Sequence, residues 1–325
     1  MVSFLLAALL AAAPVSSGAL RKAPYVGAIS VNAATGDVLF EENADAIAYP
    51  ASVTKLMTLL LVMEDVKAAK YGFDDVVTVT RDVNFSEASW VGLRAGDEMT
   101  VRDLCTALMV ESANDAAIAL GVHAAGSLEA FVSRMNARAK ELGMTKTVYY
   151  NPNGLPPNAR RRYPWKDFNV STARDQAKLA RVLVKMPEVL DLTSVKTCDL
   201  VKTPKGFRTS VTRRTNAPNR VTEVASGERI VTQETNHNNV MRMDKLKLFN
   251  PDGRETVDGL KTGYIDKGGA SIVLTGSRQG KRAIVVVLGS DGELDKKGRV
   301  VRKSSEVRDE SARRLLSDAL GALVW

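Results

Sequence analysis

The chain has 325 residues, 45% of them hydrophobic and 25% charged, a balance that folds and buries a core without disulfide staples. The formal charge is +8. The clusters Arg160-Arg161-Arg162, Arg213-Arg214 and Arg313-Arg314 lack interleaved aromatics, which argues against a nucleic-acid partner; an anionic cell envelope or acidic polymer fits the charge better.

Phe4 to Ala13 is an unbroken apolar run too short to span a bilayer. Ser17-Gly18-Ala19 follows as a small-x-small site. Residues 1–19 therefore read as a secretory signal peptide. No Lys or Arg precedes the run, and a buried N-terminal helix is the competing reading. No other segment has the length of apolar sequence that a spanning helix needs. The expectation is an exported protein of the periplasm or extracellular envelope, with no transmembrane segment.

From Tyr25 the pattern predicts a hairpin: Val26 to Val31, a turn over Asn32 to Gly36, then Asp37 to Phe40. After Pro50, Ser52 to Lys70 reads as a helix, apolar nearly all round from Leu56 to Met63 and so buried on several sides. Thr100 and Asp103 have the spacing of a helix start, with the helix running through Val110. Glu111-Ser112-Ala113 interrupts it before Asn114 to Ala125 resumes. Leu128 to Leu142 is a helix stopped at Gly143, Asn151 to Asn169 a loop, and Thr172 with Asp175 opens a helix through Lys185. Residues 193 to 235 alternate Thr and Val with polar residues, as exposed strands do. Val257 to Thr262, Ser271 to Gly276 and Ala283 to Leu288 are strand signals, the last two flanking a turn at Arg278-Gln279-Gly280-Lys281. Ser304 to Leu320 closes as an amphipathic helix. Strands at both ends with helices between predict an α/β domain whose sheet joins N- and C-terminal strands around an inserted helical cluster.

Cys105 sits in an apolar stretch and reads as a core filler; Cys198 falls in a predicted strand. Two cysteines are no framework, and the sequence leaves a single bridge between them open. Two distant cysteines and two distant histidines (His123 and His237) offer no standard zinc spacing. The nucleophile-elbow motif G-x-S-x-G and the phosphate-binding loop are both missing. No metal and no cofactor is expected.

Ser52-Val53-Thr54-Lys55 remains. Residues three apart on a helix share a face. A serine hydroxyl is a poor nucleophile until a base takes its proton, and burial or a neighbouring cation makes a lysine such a base by lowering its pKa. Ser112-Ala113-Asn114, at the break between two apolar helices, is either a plain turn or a set of inward donors. Lys261-Thr262-Gly263 ends a predicted strand, where the lysine is either a solvated position or part of a site, and the glycine permits close backbone approach.

In order and spacing the three segments match the S-x-x-K, S-x-N and K-T-G set of penicillin-interacting enzymes. The chain resembles low-molecular-weight penicillin-binding proteins, serine-type D-alanyl-D-alanine carboxypeptidases. Further likeness lies in Pro50 to Thr58, Glu111 to Ala117, Ala139 to Met144, Asn151-Pro152-Asn153-Gly154-Leu155, Ser171 to Asp175, Asn236-His237-Asn238 and Val257 to Gly263. It runs from about Ala23 to Leu316. The resemblance implies the penicillin-binding, β-lactamase/transpeptidase-like fold over residues 23–320, with no second C-terminal β domain. It implies peptidoglycan stem peptides ending in D-Ala-D-Ala as substrate and β-lactam antibiotics as covalent inhibitors.

Residue by residue, it implies that Ser52 attacks the penultimate D-alanine and Lys55 accepts its proton. Ser112 relays a proton to the leaving amine, Asn114 holds the substrate amide, and Lys261 lowers the pKa of Lys55. Thr262 binds the terminal carboxylate, and backbone N–H groups of Ser52 and Tyr264, beside Gly263, form the oxyanion hole. Arg308 matches an arginine that organises carboxylate recognition; a solvated arginine is the competing reading there. Tyr264-Ile265 and Lys267 to Ser271 depart from the usual family run. A DD-endopeptidase, or a penicillin sensor without hydrolysis, shares the motifs and stands as the alternative. A β-lactamase is disfavoured because no E-x-x-L-N segment is present.

Overall fold

The computed structural model describes residues 24–83, 89–157, 165–205, 208–212, 220–224, 228–238, 255–295 and 297–324. The expected signal peptide and the clusters Arg160 to Arg162 and Arg213-Arg214 lie outside them.

The predicted hairpin forms as β1 (Gly27–Asn32) and β2 (Val38–Glu42). Asn32 turns the chain by accepting the Ala34 N–H on its side-chain oxygen at 2.9 Å. A 3-10 turn, Ala51–Thr54, then leads into α1 (Lys55–Lys67). A short ribbon of β3 (Val76–Thr78) and β4 (Glu98–Thr100) precedes α2 (Val101–Val110), α3 (Asn114–Ala125) and α4 (Leu128–Glu141). Next come α5 (Ala173–Leu183), α6 (Pro187–Ser194), β5 (Thr197–Lys202), β6 (Arg208–Thr212), β7 (Arg220–Val224) and β8 (Ile230–Thr235). The chain ends through β9 (Glu255–Ile265), β10 (Gly269–Arg278), β11 (Lys281–Ser290), a small hairpin of β12 (Glu293–Leu294) and β13 (Val300–Arg302), and α7 (Ser304–Val324).

The two chain ends build one five-stranded antiparallel sheet in the order β2-β1-β11-β10-β9, with the helical cluster α1 to α6 inserted between them. Period-two alternation sorts its side chains. Ile272, Leu274, Val285 and Val287 pack on Ala312, Leu316, Ala319 and Leu320 of α7. Val273, Ile284, Val286 and Leu288 face the helices. Both faces are covered, which is why β11 reads as a continuous apolar run. The β10–β11 turn has positive φ at Gln279 and Gly280 (48° and 76°), the geometry that matches strand twist in a two-residue hairpin.

In α1 every residue from Leu56 to Met63 is buried. At about 1.5–3 kcal/mol for each large apolar side chain, this helix anchors the inserted cluster. The capping threonines act as predicted: Thr100 accepts from the Asp103 N–H and Thr172 from the Asp175 N–H, both at 3.1 Å.

Three expectations change. Ser52 lies in the 3-10 turn rather than in the α-helix, because Pro50 and the left-handed Ala51 (φ 50°) set a tighter entry whose Val53 N–H bonds Pro50 O. Pro187–Ser194 is a helix with proline in its first turn, a short element lying beyond the predicted stop at Lys185. The strand carrying Lys261 runs on to Ile265, since Tyr264 and Ile265 keep pairing with Ala270 and Gly269. Both cysteines are free, so the bridge left open by the sequence does not form. Burial pushes each thiol up to about 12. No single helix among the described residues is long and apolar enough to cross a membrane.

Candidate active site

The site lies where the 3-10 turn, the α2–α3 junction and the edge strand β9 converge. Lys55 opens α1 and is wholly buried. Its Nζ lies 2.9 Å from Ser52 Oγ, 2.8 Å from Asn114 Oδ1 and 2.7 Å from the backbone oxygen of Asn153. A neutral amine has two N–H donors and one lone pair. Donating to Asn114 and Asn153 aims the lone pair at the serine hydroxyl.

The surroundings favour the neutral amine. Burial holds the Lys55 pKa well below its ordinary value, the charge of Lys261 lowers it further, and Asp115 opposes them. Lys261, itself buried in β9, is pushed down to about 7 by burial and then by Arg308, with Glu111 opposing. Its Nζ donates to the Thr262 backbone oxygen at 2.9 Å.

Asn153 belongs to a loop that its own sequence builds. The Asn151 side chain accepts from the N–H groups of Asn153 and Gly154 at 3.2 and 2.6 Å and donates to Leu155 O at 3.0 Å. Asn169 ties this loop to the nucleophile turn, donating to Asn151 O and to Thr54 Oγ1, both at 3.0 Å. Thr58 of α1 adds a bond to Pro152 O at 2.7 Å. Gly154 has φ 85°, and a Cβ there would come 1.9 Å from Ala51 O; only glycine lets the loop lie against the turn.

Ser112 has φ 61° and is buried at the α2–α3 junction, a strained position for a residue with a Cβ. The helix break brings Asn114 to Lys55. Asp115 beside it, fully buried, accepts from the N–H groups of Val91 and Leu93 at 3.1 and 2.9 Å. Lys202 of β5 holds the same segment through Val91 O and Gly92 O at 2.5 and 3.1 Å.

On the other wall, Gly263 of β9 lies against the nucleophile turn. A Cβ there would stand 2.9 Å from the Ser52 backbone nitrogen. Thr262 is buried and the Tyr264 ring is 57% exposed. Arg308 is buried in α7, with Nε donating to Asp309 at 2.7 Å, which rules out the solvated reading. Sequence reasoning gave no role to the Asn153 carbonyl, to Asp115 or Lys202, or to Glu111, whose carboxylate meets His237 Nε2 at 3.2 Å. The N-P-N-G-L run was the available signal for the first of these.

Sheet, inserted helices and cleft together define a penicillin-binding fold. The structure aligns with the D-alanyl-D-alanine carboxypeptidase DacD of Francisella tularensis at TM-score 0.69 and 27% identity, over 91% of this chain and 70% of that one. Penicillin-binding protein D2 of Listeria monocytogenes, solved in its ampicillin-bound form, aligns at TM-score 0.66 and 26% identity, over 92% of this chain and 98% of that one. In sequence, the D-alanyl-D-alanine carboxypeptidase DacF of Bacillus subtilis is 28% identical over 276 residues, 85% of this chain and 60% of the relative. The chain belongs to the D-alanyl-D-alanine carboxypeptidase family, peptidase S11, whose pattern matches residues 22–292. It spans about 60% of the length of the curated relatives it matches.

Proposed function

We propose that this protein is a serine-type D-alanyl-D-alanine carboxypeptidase that removes the terminal D-alanine of peptidoglycan stem peptides in the cell envelope. The observation that carries the reading is the buried Lys55 amine 2.9 Å from Ser52 Oγ, its other contacts taken by Asn114 and Asn153. Family membership and the apolar run Phe4 to Ala13 support it, the latter as an export signal.

In this reading Ser52 Oγ bonds to the carbonyl carbon of the penultimate D-alanine as its proton passes to Lys55. The oxyanion sits on the N–H groups of Ser52 and Tyr264, brought near each other by the close approach of Gly263 to the turn. Losing one such donor typically costs about 100- to 1000-fold in rate. The C–N bond then breaks, and Ser112 passes the proton to the departing D-alanine nitrogen. Lys55 has by then given the Ser52 proton back through Ser112; water takes the place of that amine, passes a proton to Lys55 as its oxygen bonds to the ester carbon, and Lys55 returns that proton to Ser52 Oγ as the ester C–O bond breaks. Thr262, with Arg308 in support, receives the substrate's terminal carboxylate. Lys261 is pushed down only to about 7, so up to neutral pH it holds its charge beside Lys55, and Lys55 is the lysine without a proton. β-Lactams acylate the same Ser52, in keeping with the ampicillin-bound relative.

The test is release of free D-alanine from a pentapeptide ending in D-Ala-D-Ala by the purified chain, with Ser52→Ala inactive. Covalent penicillin labelling without D-alanine release, or cleavage confined to cross-linked dimers, contradicts the reading.

A further inference from the structure

β9 is an edge strand of the sheet, so no neighbouring strand holds its outer side. Its start is tied down, with Thr193 Oγ1 donating to Asp258 O at 2.6 Å. Its end carries Gly263 and Tyr264, on which the oxyanion geometry depends, and runs into the β9–β10 turn. That turn closes with the Gly268 N–H on Ile265 O at 3.0 Å, and Lys267 stands within it.

The Lys267 side chain is exposed, yet its ammonium lies on two rings. Nζ is 5.1 Å from the centroid of Tyr49 and 4.5 Å from that of Phe168, both inside the roughly 6 Å range of cation–π attraction. The rings are 5.0 Å apart, tilted by 49°, and form one half-buried surface under the cation. A second contact presses the same turn onto Tyr49: a Cβ on Gly268 would come 2.9 Å from Tyr49 Cβ.

Each ring belongs to a segment of the site. Tyr49 is followed by Pro50 and the nucleophile turn. Phe168 adjoins Asn169, which donates to Thr54 Oγ1 and to Asn151 O. Ala48 and Ser171 bond each other through both backbone N–H groups, at 2.8 and 3.0 Å, so the two rings ride on one body with Ser52. Lys267 fastens the free end of β9 to that body.

We propose that Lys267 is a positioning residue for acyl transfer: by holding the β9–β10 turn on Tyr49 and Phe168, it fixes the Tyr264 N–H relative to the Ser52 N–H, the two donors of the oxyanion hole. Lys267 itself touches no reacting atom in this arrangement, which rests on the acyl-transfer reading of Ser52.

Stopped-flow labelling of the purified chain by a fluorescent penicillin, over a range of concentrations, separates Kd from the acylation rate constant, and loss of the label gives deacylation. Lys267→Met keeps the stem and drops the charge. Acylation and deacylation should each slow about 5-fold, the equivalent of about 1 kcal/mol of exposed cation–π contact. Both steps slow because one pair of N–H groups serves both, while Kd should move by less than about 2-fold. Lys267→Arg, whose guanidinium stacks on the same rings, should stay within about 2-fold of wild type in both steps. Gly268→Ala, which pushes the turn off Tyr49, should slow both steps as well. Adding Lys267→Met to it should then cost less than the 5-fold expected alone, since the two changes act on one contact. Unchanged rates in Lys267→Met, a change confined to Kd, an equal loss in Lys267→Arg, or a full further loss in the double variant overturns the positioning role and leaves Ser52 as nucleophile. No acylation of the wild-type chain overturns both.

Discussion

Gly263→Ala tests whether the contact between β9 and the nucleophile turn sets the geometry of attack. The added Cβ would meet Pro50 O at 2.7 Å, the Ser52 nitrogen at 2.9 Å and the Val53 nitrogen at 3.1 Å, where ordinary contact begins at 3.4 Å. All three atoms are backbone and cannot rotate away. The turn must retreat by about 0.5–0.7 Å to restore ordinary contact at the two closest. A 1 Å misplacement costs about 100-fold, and the retreat also misaligns an oxyanion donor. We expect acylation by a fluorescent penicillin to slow about 10- to 100-fold, or about 1.4–2.7 kcal/mol in the barrier, with about 1–3 kcal/mol lost in stability. Stopped-flow acylation and thermal melts measure the two effects. Gly280→Ala is the control. Its Cβ meets nothing within 4 Å, but φ is +76°, so it should cost about 1–2 kcal/mol of stability and leave acylation unchanged. Wild-type acylation in Gly263→Ala would refute the assignment of this contact.

Removing the Lys261 charge with Lys261→Met should raise the Lys55 pKa, because that charge helps lower it; the acid limb of the acylation rate then moves to higher pH, and an unmoved limb contradicts the coupling. The same variant tests linkage. The Lys261 side chain keeps its proton to about 10.5 unfolded but releases it near 7 when folded. Between those values the unfolded state binds the extra proton, so wild-type stability rises relative to Lys261→Met by about 1.4 kcal/mol per pH unit. Denaturant titrations from pH 7 to 10 should show that slope, and a constant difference would count against a buried Lys261. Asp115→Ala leaves the Val91 and Leu93 N–H groups without their buried acceptor and takes away the negative charge near Lys202; unfolding should come about 3–5 kcal/mol sooner, and a loss under 1 kcal/mol would mean that this clamp is dispensable.

The chemistry was more legible than the scaffold that holds it. Ser52 and Lys55 stand out because a three-residue spacing brings a hydroxyl and an amine together in either an α-helix or a 3-10 turn. The same tolerance hid the 3-10 turn, whose signals are Pro50 and a left-handed alanine that sequence does not mark. The sheet was readable from two short apolar runs, Ser271 to Gly276 and Ala283 to Leu288, on either side of a turn. Helix α6 was not, because eight residues hold too few turns for a periodic pattern. The third contact of Lys55 is a backbone oxygen, and a carbonyl carries no letter in the sequence. Only the asparagines and glycine of Asn151 to Leu155 betrayed a built loop. Arg308 was marked only by the family resemblance, because its pattern is that of any charged residue of an amphipathic helix; its burial follows from α7 packing flat on the sheet. Asp115 and Lys202 are 87 residues apart in sequence, and only the fold brings them to one segment.

In the proposed reaction one hydroxyl, beside one proton-free amine, forms the acyl-enzyme. Intact mass spectrometry of the protein after brief exposure to a penicillin, with peptide mapping of the adduct, tests it most directly. A single penicilloyl group should be added, on Ser52, its formation slowed at least about 100-fold by Lys55→Ala, as expected when a general base is lost. An adduct on any other residue, or undiminished labelling of Ser52 without the Lys55 amine, would contradict it.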